Sequence, residues 1–297
     1  MKELVLSRIG YSLGEARPIH DLQDDLLSSL CVPEHGLEQY RRSEEVLTDL
    51  ALAAAEASLS GSAGLPDLVL HVSESEPDRV GALFAIERKL GLPGATYYSI
   101  GGRGCANFGM ALDFAISTLG SGMHNRVLLI LADRAGPSRV VEAGLSVLSD
   151  GAAACVLTTH AEERGSDPMF VLSGSATMHD ALAGAGSGGA TLNEAWNWAR
   201  GCGRRFYDQA GIEPSSFAHV LLPNYRLSSQ QFLAAAFGFR FDQIRVGDVA
   251  GVGHCFAADP LINLHALGET AQLSRDEHIL LVASARGVCS FAAVKCL

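Results

Sequence analysis

The chain has 297 residues, 48% hydrophobic and only 19% charged, which predicts a large buried core in one large domain or two of ordinary size. Its formal net charge of −11 argues against nucleic acid as a partner, and an acidic carrier protein would need a local basic patch on which to dock. The 7 cysteines are scattered, with no CxxC pair or Cys/His cluster at metal spacing, so neither a disulfide framework nor a metal site is expected and a reducing cytoplasm fits best.

The start, Met1-Lys2-Glu3-Leu4, lacks the pattern of a secretory signal. No apolar run reaches the ~18 residues of a membrane span. In chain order, helical periodicity covers 43–58, a short strand follows Pro66 at 67–72, and a second helix covers 79–90. A third helix over 105–119 follows a glycine-rich turn. The run 126–131 is continuously apolar, as in a strand covered on both faces, and 152–158 is another strand. The Gly/Ser-rich stretch 184–189 reads as a loop connecting two halves, with the composition of a lid. Beyond it come a helix over 193–209, a strand at 218–222, a helix over 229–237, and strands at 279–284 and 288–295. This alternation implies an α/β fold with buried sheets. The segment 125–136 is echoed by 277–287, and a further apolar strand follows in each case, which suggests a duplicated half.

The most informative stretch is Gly101-Gly102-Arg103-Gly104-Cys105-Ala106-Asn107-Phe108-Gly109. Its glycines allow positive φ and close approach of a substrate to the backbone. Phe108, Ala111, Leu112, Ala115, Ile116 and Leu119 then define an apolar helix face. A thiol at such a helix start meets the positive end of the helix dipole, which favours the nucleophilic thiolate. The other reading of Cys105 is a small buried hydrophobe, and turn and helix alone leave both open. Cys155 and Cys289 lie in apolar strand patterns and read as core; Cys255 lacks the turn-to-helix context.

Several stretches together resemble the β-ketoacyl-acyl-carrier-protein synthase III family. Cys105-Ala106-Asn107-Phe108 resembles its ACAGF nucleophile motif. Ser121-Gly122 with 126–133 resembles SG…VLVVGAD, and Leu148-Ser149-Asp150-Gly151-Ala152 resembles FGDGAGA. Leu222-Pro223-Asn224-Tyr225 falls where the family has LVPHQAN, Gly253-His254-Cys255-Phe256-Ala257-Ala258 where it has GNTSAA, and Ala285-Arg286-Gly287 in its GGG loop. The resemblance spans nearly the whole chain. It implies the thiolase fold, two similar halves in five αβαβα layers: 1–163 with Cys105, and 164–297 with His254 and Asn224. It also implies a homodimer.

The family's triad is Cys, His, Asn. Here Cys105 is kept, Asn224 stands at the histidine position and His254 at the asparagine position, so the two polar partners have exchanged places. The resemblance implies Cys105, His254 and Asn224 as catalytic residues, with oxyanion donors from the Cys105 amide and the Arg286–Gly287 loop. Asn107, Phe108 and Arg226 are candidate substrate contacts, although packing suits Phe108 as well. Asp259 reads first as a helix N-cap or first-turn acid before Pro260, and second as a carboxylate orienting the imidazole. Arg204, Arg205 and Arg226 form either a rim for a phosphopantetheine arm or an ordinary solvated face.

With the imidazole moved, the reading favoured is acyl transfer from a carrier-protein or coenzyme A thioester to an oxygen or nitrogen acceptor in secondary metabolism. The alternatives are decarboxylative condensation with a malonyl thioester and an inactive structural partner of a ketosynthase. No Trp lies between Asp21 and Arg42, where the family clamps coenzyme A, which favours a carrier-protein donor. No bound cofactor is expected.

Overall fold

The computed structural model describes residues 3–22, 36–62, 64–140, 145–159, 168–180 and 191–297. The expected loop at 184–189 and the boundary placed between 163 and 164 both lie outside the described residues.

Eleven strands are described: β1 (Leu4–Leu13), β2 (Glu15–Pro18), β3 (Gln39–Arg42), β4 (Leu68–Val72), β5 (Thr96–Ile100), β6 (Arg126–Asp133), β7 (Gly151–Thr158), β8 (Phe170–His179), β9 (Phe217–Leu221), β10 (His278–Ala285) and β11 (Val288–Cys296). The main helices are α1 (Leu47–Leu59), α2 (Arg79–Leu90), α3 (Asn107–Ser121), α4 (Leu192–Ala210), α5 (Leu227–Phe237) and α6 (Asp259–Thr270). Strands β1, β2, β3, β5 and β8 are additions to the sequence reading. β5 and the middle of β8 are only half-buried, so neither presents a continuous apolar run.

Nine strands form one sheet in the order β5-β4-β6-β7-β1-β8-β11-β10-β9, and β2 pairs with β3 apart from it. The order is a palindrome about the β1/β8 junction. β4, β6, β7 and β1 correspond to β9, β10, β11 and β8, with parallel pairing of β4 with β6 and of β9 with β10, and antiparallel pairing of the rest. This is the physical form of the repeat seen in the sequence. The halves join through a short antiparallel contact, Leu4–Leu6 against Phe170–Leu172.

Side-chain alternation sets the layers. Leu68, Leu70, Val127, Leu129 and Leu131 on one half-sheet and Ile279, Leu281, Ala292 and Val294 on the other enclose α3 and α6 in a single core. The opposite face of the first half-sheet packs Val69, Leu128, Ile130 and Val156 on α1. That of the second packs Leu280, Val282 and Phe291 on α4 and α5. The result is helix, sheet, helix, sheet, helix. Because both faces of β6 and β10 are covered, both strands read as unbroken apolar runs. Cys105 lies in the turn just before α3 and Asp259 begins α6, and the layering brings the N-terminal ends of these two central helices together.

Among the described residues, no helix is long and apolar enough to cross a membrane.

Candidate active site

The turn that leaves β5 takes positive φ at Gly102 (94°) and Gly104 (55°), then forms a 3-10 turn, Gly104–Ala106, that runs straight into α3. Cys105 sits in that turn. It is partly exposed, whereas the other described cysteines are buried. Opposite lies the segment after the helical turn Val249–Val252. Gly253 there takes φ 69°, and the His254 amide donates to the Val147 carbonyl while its carbonyl accepts from the Ser149 amide. These bonds hold the His254 backbone against the loop before β7.

The His254 side chain is buried and bridges two groups. Its Nε2 lies 3.0 Å from the Cys105 sulfur, and its Nδ1 lies 2.5 Å from Asp259 Oδ2. Asp259 is fully buried in the first turn of α6. Its Oδ2 also accepts from the Asn224 amide and its Oδ1 from the Cys255 amide, each at 2.7 Å. A carboxylate with that many donors is fixed in place and orients the ring. Burial by itself pulls the imidazole pKa down, but the Asp259 charge and the Cys105 sulfur outweigh it and hold His254 well above its ordinary value. The geometry sets a readily protonated imidazole beside the Cys105 sulfur.

Two aromatic rings wall the imidazole. Tyr225 meets it edge-on at 5.1 Å, and Phe256 stacks on it at 5.9 Å. Phe256 achieves this with φ 53°, a left-handed backbone that is costly for a bulky residue. The Tyr225 hydroxyl donates to the Ser284 carbonyl at 2.9 Å and so ties this wall to the hairpin Ala285-Arg286-Gly287. That hairpin packs on the Cys105 turn: a Cβ on Gly104 would lie 3.3 Å from Ala285 Cβ.

The residues expected from the sequence are therefore only partly assembled. Cys105 and His254 meet. Asn224 is fully buried, and its side chain is engaged elsewhere: Nδ2 donates to the Gly253 carbonyl at 2.8 Å and Oδ1 accepts from Asn263 at 3.0 Å. Its amide on Asp259 makes it a brace for the loop and the carboxylate. The third member of the line is Asp259, which is a first-turn acid rather than the N-cap, a place taken by Ala258, and which carries the imidazole. Asn107 and Phe108 are fully buried. Asn107 bonds within the Cys105 turn and to Glu74, and Phe108 packs in the central core, so neither side chain opens towards a ligand. Arg226 stands partly exposed before α5, its Nε on Ser229, and Arg204 and Arg205 are exposed on α4. Tyr225, Phe256 and Glu74 were not singled out by sequence reasoning. For Asp259 a signal existed, since it follows His254 by five residues.

No family model matches the chain, and no curated protein matches it in sequence. Solved structures do. The acyltransferase ChlB3 superposes with a TM-score of 0.83 at 20% identity, covering 99% of this chain and 98% of that one. The 3-oxoacyl-[acyl-carrier-protein] synthase III of Aquifex aeolicus gives 0.79 at 20% identity, over 98% and 99% of the two chains. OleA of Xanthomonas campestris gives 0.78 at 16% identity, over 99% and 98%. The chain has the fold of these three structures, the thiolase fold.

Proposed function

We propose that this chain is an acyltransferase that carries the acyl group on Cys105 and passes it to an oxygen or nitrogen acceptor. The observation that carries the reading is the line Cys105–His254–Asp259, with the Asn224 side chain bonded to Gly253 and Asn263. The Cys105 thiolate attacks the thioester carbonyl, and the Cys105 amide and the Arg286–Gly287 loop receive the oxyanion. Collapse expels the donor thiolate, which takes the proton from His254. The neutral imidazole, still oriented by Asp259, then removes the proton of the acceptor hydroxyl or amine as it attacks the acyl-enzyme, and Cys105 leaves as thiolate. No resident cofactor is needed.

Decarboxylative condensation asks for two side-chain donors on the malonyl thioester carbonyl. With Asn224 committed to Gly253 and Asn263, only His254 is available, which favours simple transfer. The likeness to ChlB3, described as an acyltransferase, points the same way. The donor we favour is a carrier-protein thioester in a cytoplasmic setting. We further propose a homodimer: β5 is a sheet edge, and Val80, Phe84, Tyr98 and Phe114 are exposed beside it. Light scattering on the purified chain tests the dimer.

The function is tested by intact-protein mass spectrometry after mixing with a panel of acyl-CoA and acyl-carrier thioesters, malonyl included, beside Cys105→Ala. A mass gain lost in the variant, without carbon dioxide release from malonyl, is the expected result. Decarboxylation would move the assignment to condensation, and no loading by any donor would leave the scaffold reading.

A further inference from the structure

Glu74, in the turn that follows β4, reaches across to the Cys105 turn. A single carboxylate oxygen, Oε2, accepts from the amides of Gly102 (2.8 Å) and Gly104 (3.1 Å) and from the Asn107 side chain (3.1 Å). Asn107 stands where the resembled family has glycine. Its Oδ1 accepts from the Arg103 amide at 3.0 Å, and the Arg103 carbonyl takes the Ala106 amide at 3.2 Å. The amides of 102, 103, 104 and 106 are thus engaged, and the Cys105 amide is not among those the clamp takes.

The clamp itself is anchored in the sheet. Asp133 ends β6, fully buried, and its Oδ1 accepts from the amides of Glu74 (2.8 Å) and Ser75 (2.9 Å) and from the hydroxyls of Ser73 (3.1 Å) and Ser75 (2.9 Å). Two carboxylates in series therefore tie a turn with two left-handed glycines, otherwise soft, to the end of a core strand. Burial pushes the Glu74 carboxyl up, but its bonds to Asn107, Gly102 and Gly104 and the nearby Arg79 charge outweigh this and keep it ionised.

We propose that Glu74 and Asn107 are positioning residues that select the oxyanion donor: they take the amides flanking Cys105 and leave the Cys105 amide to meet the tetrahedral oxygen. This rests on the reading of Cys105 as the acyl-carrying nucleophile. Attack on a carbonyl needs that donor; attack on a saturated carbon does not. The two reactions of one thiol therefore separate the clamp from thiol activation.

The experiment uses the full chain, its Glu74→Ala, Glu74→Gln and Asn107→Gly variants, iodoacetamide as alkylating probe and an acyl-N-acetylcysteamine thioester as acylating probe, with thermal melting as a fold control. In Glu74→Ala the acylation rate is expected to fall about 100-fold, the scale of a misplaced oxyanion donor. Alkylation should change by less than about threefold in the same protein. Glu74→Gln keeps an oxygen acceptor and should retain most of the acylation rate, and Asn107→Gly should lie between. Unchanged acylation in Glu74→Ala, or acylation and alkylation falling together, overturns the clamp. A wild-type chain whose Cys105 takes neither probe removes the catalytic reading instead, before any variant is compared.

Discussion

Replacing Asp259 by asparagine tests the line of charge behind the sulfur with almost no change of shape. The carboxylate receives three donors, the His254 ring at Nδ1 and the amides of Asn224 and Cys255. An asparagine has one oxygen to offer, and its NH₂ must face at least one of those donors. Keeping the oxygen on His254 and Asn224 sets the NH₂ against the Cys255 amide, a buried donor–donor contact costing about 1–3 kcal/mol. The larger loss is electrostatic. The Asp259 charge is the foremost influence lifting His254 above its ordinary pKa, and without it burial favours the neutral ring. The Cys105 sulfur then loses its cationic partner. Alkylation by iodoacetamide at pH 6 should therefore slow by about tenfold or more. Thioester turnover should fall by about 10³–10⁴-fold, since the ring also loses its orientation. The assay is the pH dependence of iodoacetamide alkylation between pH 5 and 9 in both proteins, with circular dichroism to confirm the fold. A variant that alkylates like the wild type across that range, and turns over normally, would refute the role assigned to Asp259.

Asn224→Ala leaves the Gly253 carbonyl and the Asn263 amide without their partner, which should cost about 2 kcal/mol by urea denaturation and reduce acylation less than His254→Ala does. A loss equal to that of His254→Ala at unchanged stability would show that Asn224 touches the reacting atoms. Tyr225→Phe removes the bond to the Ser284 carbonyl and should cost about 1 kcal/mol while slowing acylation several-fold more than alkylation; equal slowing would contradict a role through the hairpin. His71 is fully buried on β4, its ring nitrogens have no partner among the described residues, and burial lowers its pKa to about 4 from 6.5. The unfolded chain therefore binds this proton first on acidification, and the stability present above pH 6.5 is lost towards pH 4. Asp133 opposes this, because burial raises its carboxyl to about 6 and its protonation favours the fold between about pH 6 and 3.8. The comparison with His71→Leu isolates the histidine. Between pH 7 and 4.5 the variant should gain about 2–3 kcal/mol on the wild type in urea denaturation, and a constant difference would rule the mechanism out.

The layered plan was legible because the buried strands announce themselves. The runs 126–131 and 279–284 are apolar on both faces because helices cover both faces, and their echo reflects a real palindrome in the sheet. Strands β1, β5 and β8 were not legible. Half-buried strands at an edge or a junction mix polar and apolar residues, and only their neighbours tell them from loops.

The turn that presents Cys105 was legible for a local reason: glycines, a thiol and an amphipathic helix lie within twenty residues, and a turn into a helix start is decided by near neighbours. His254 required the resemblance, since nothing in its own segment marks a histidine that lies 149 positions from its sulfur. The direction in which each side chain points belonged to the tertiary structure alone. Asn224 and Asp259 are both polar, both buried and close to the same ring, yet Gly253 and Asn263 engage one while the first turn of α6 aims the other. The same holds for Glu74, which no motif connects to Cys105 and which the parallel pairing of β4 and β5 sets beside the Cys105 turn. Composition and periodicity determine which segments are buried. Which polar groups face one another in that interior depends on contacts between distant segments, and only the assembled layers supply them.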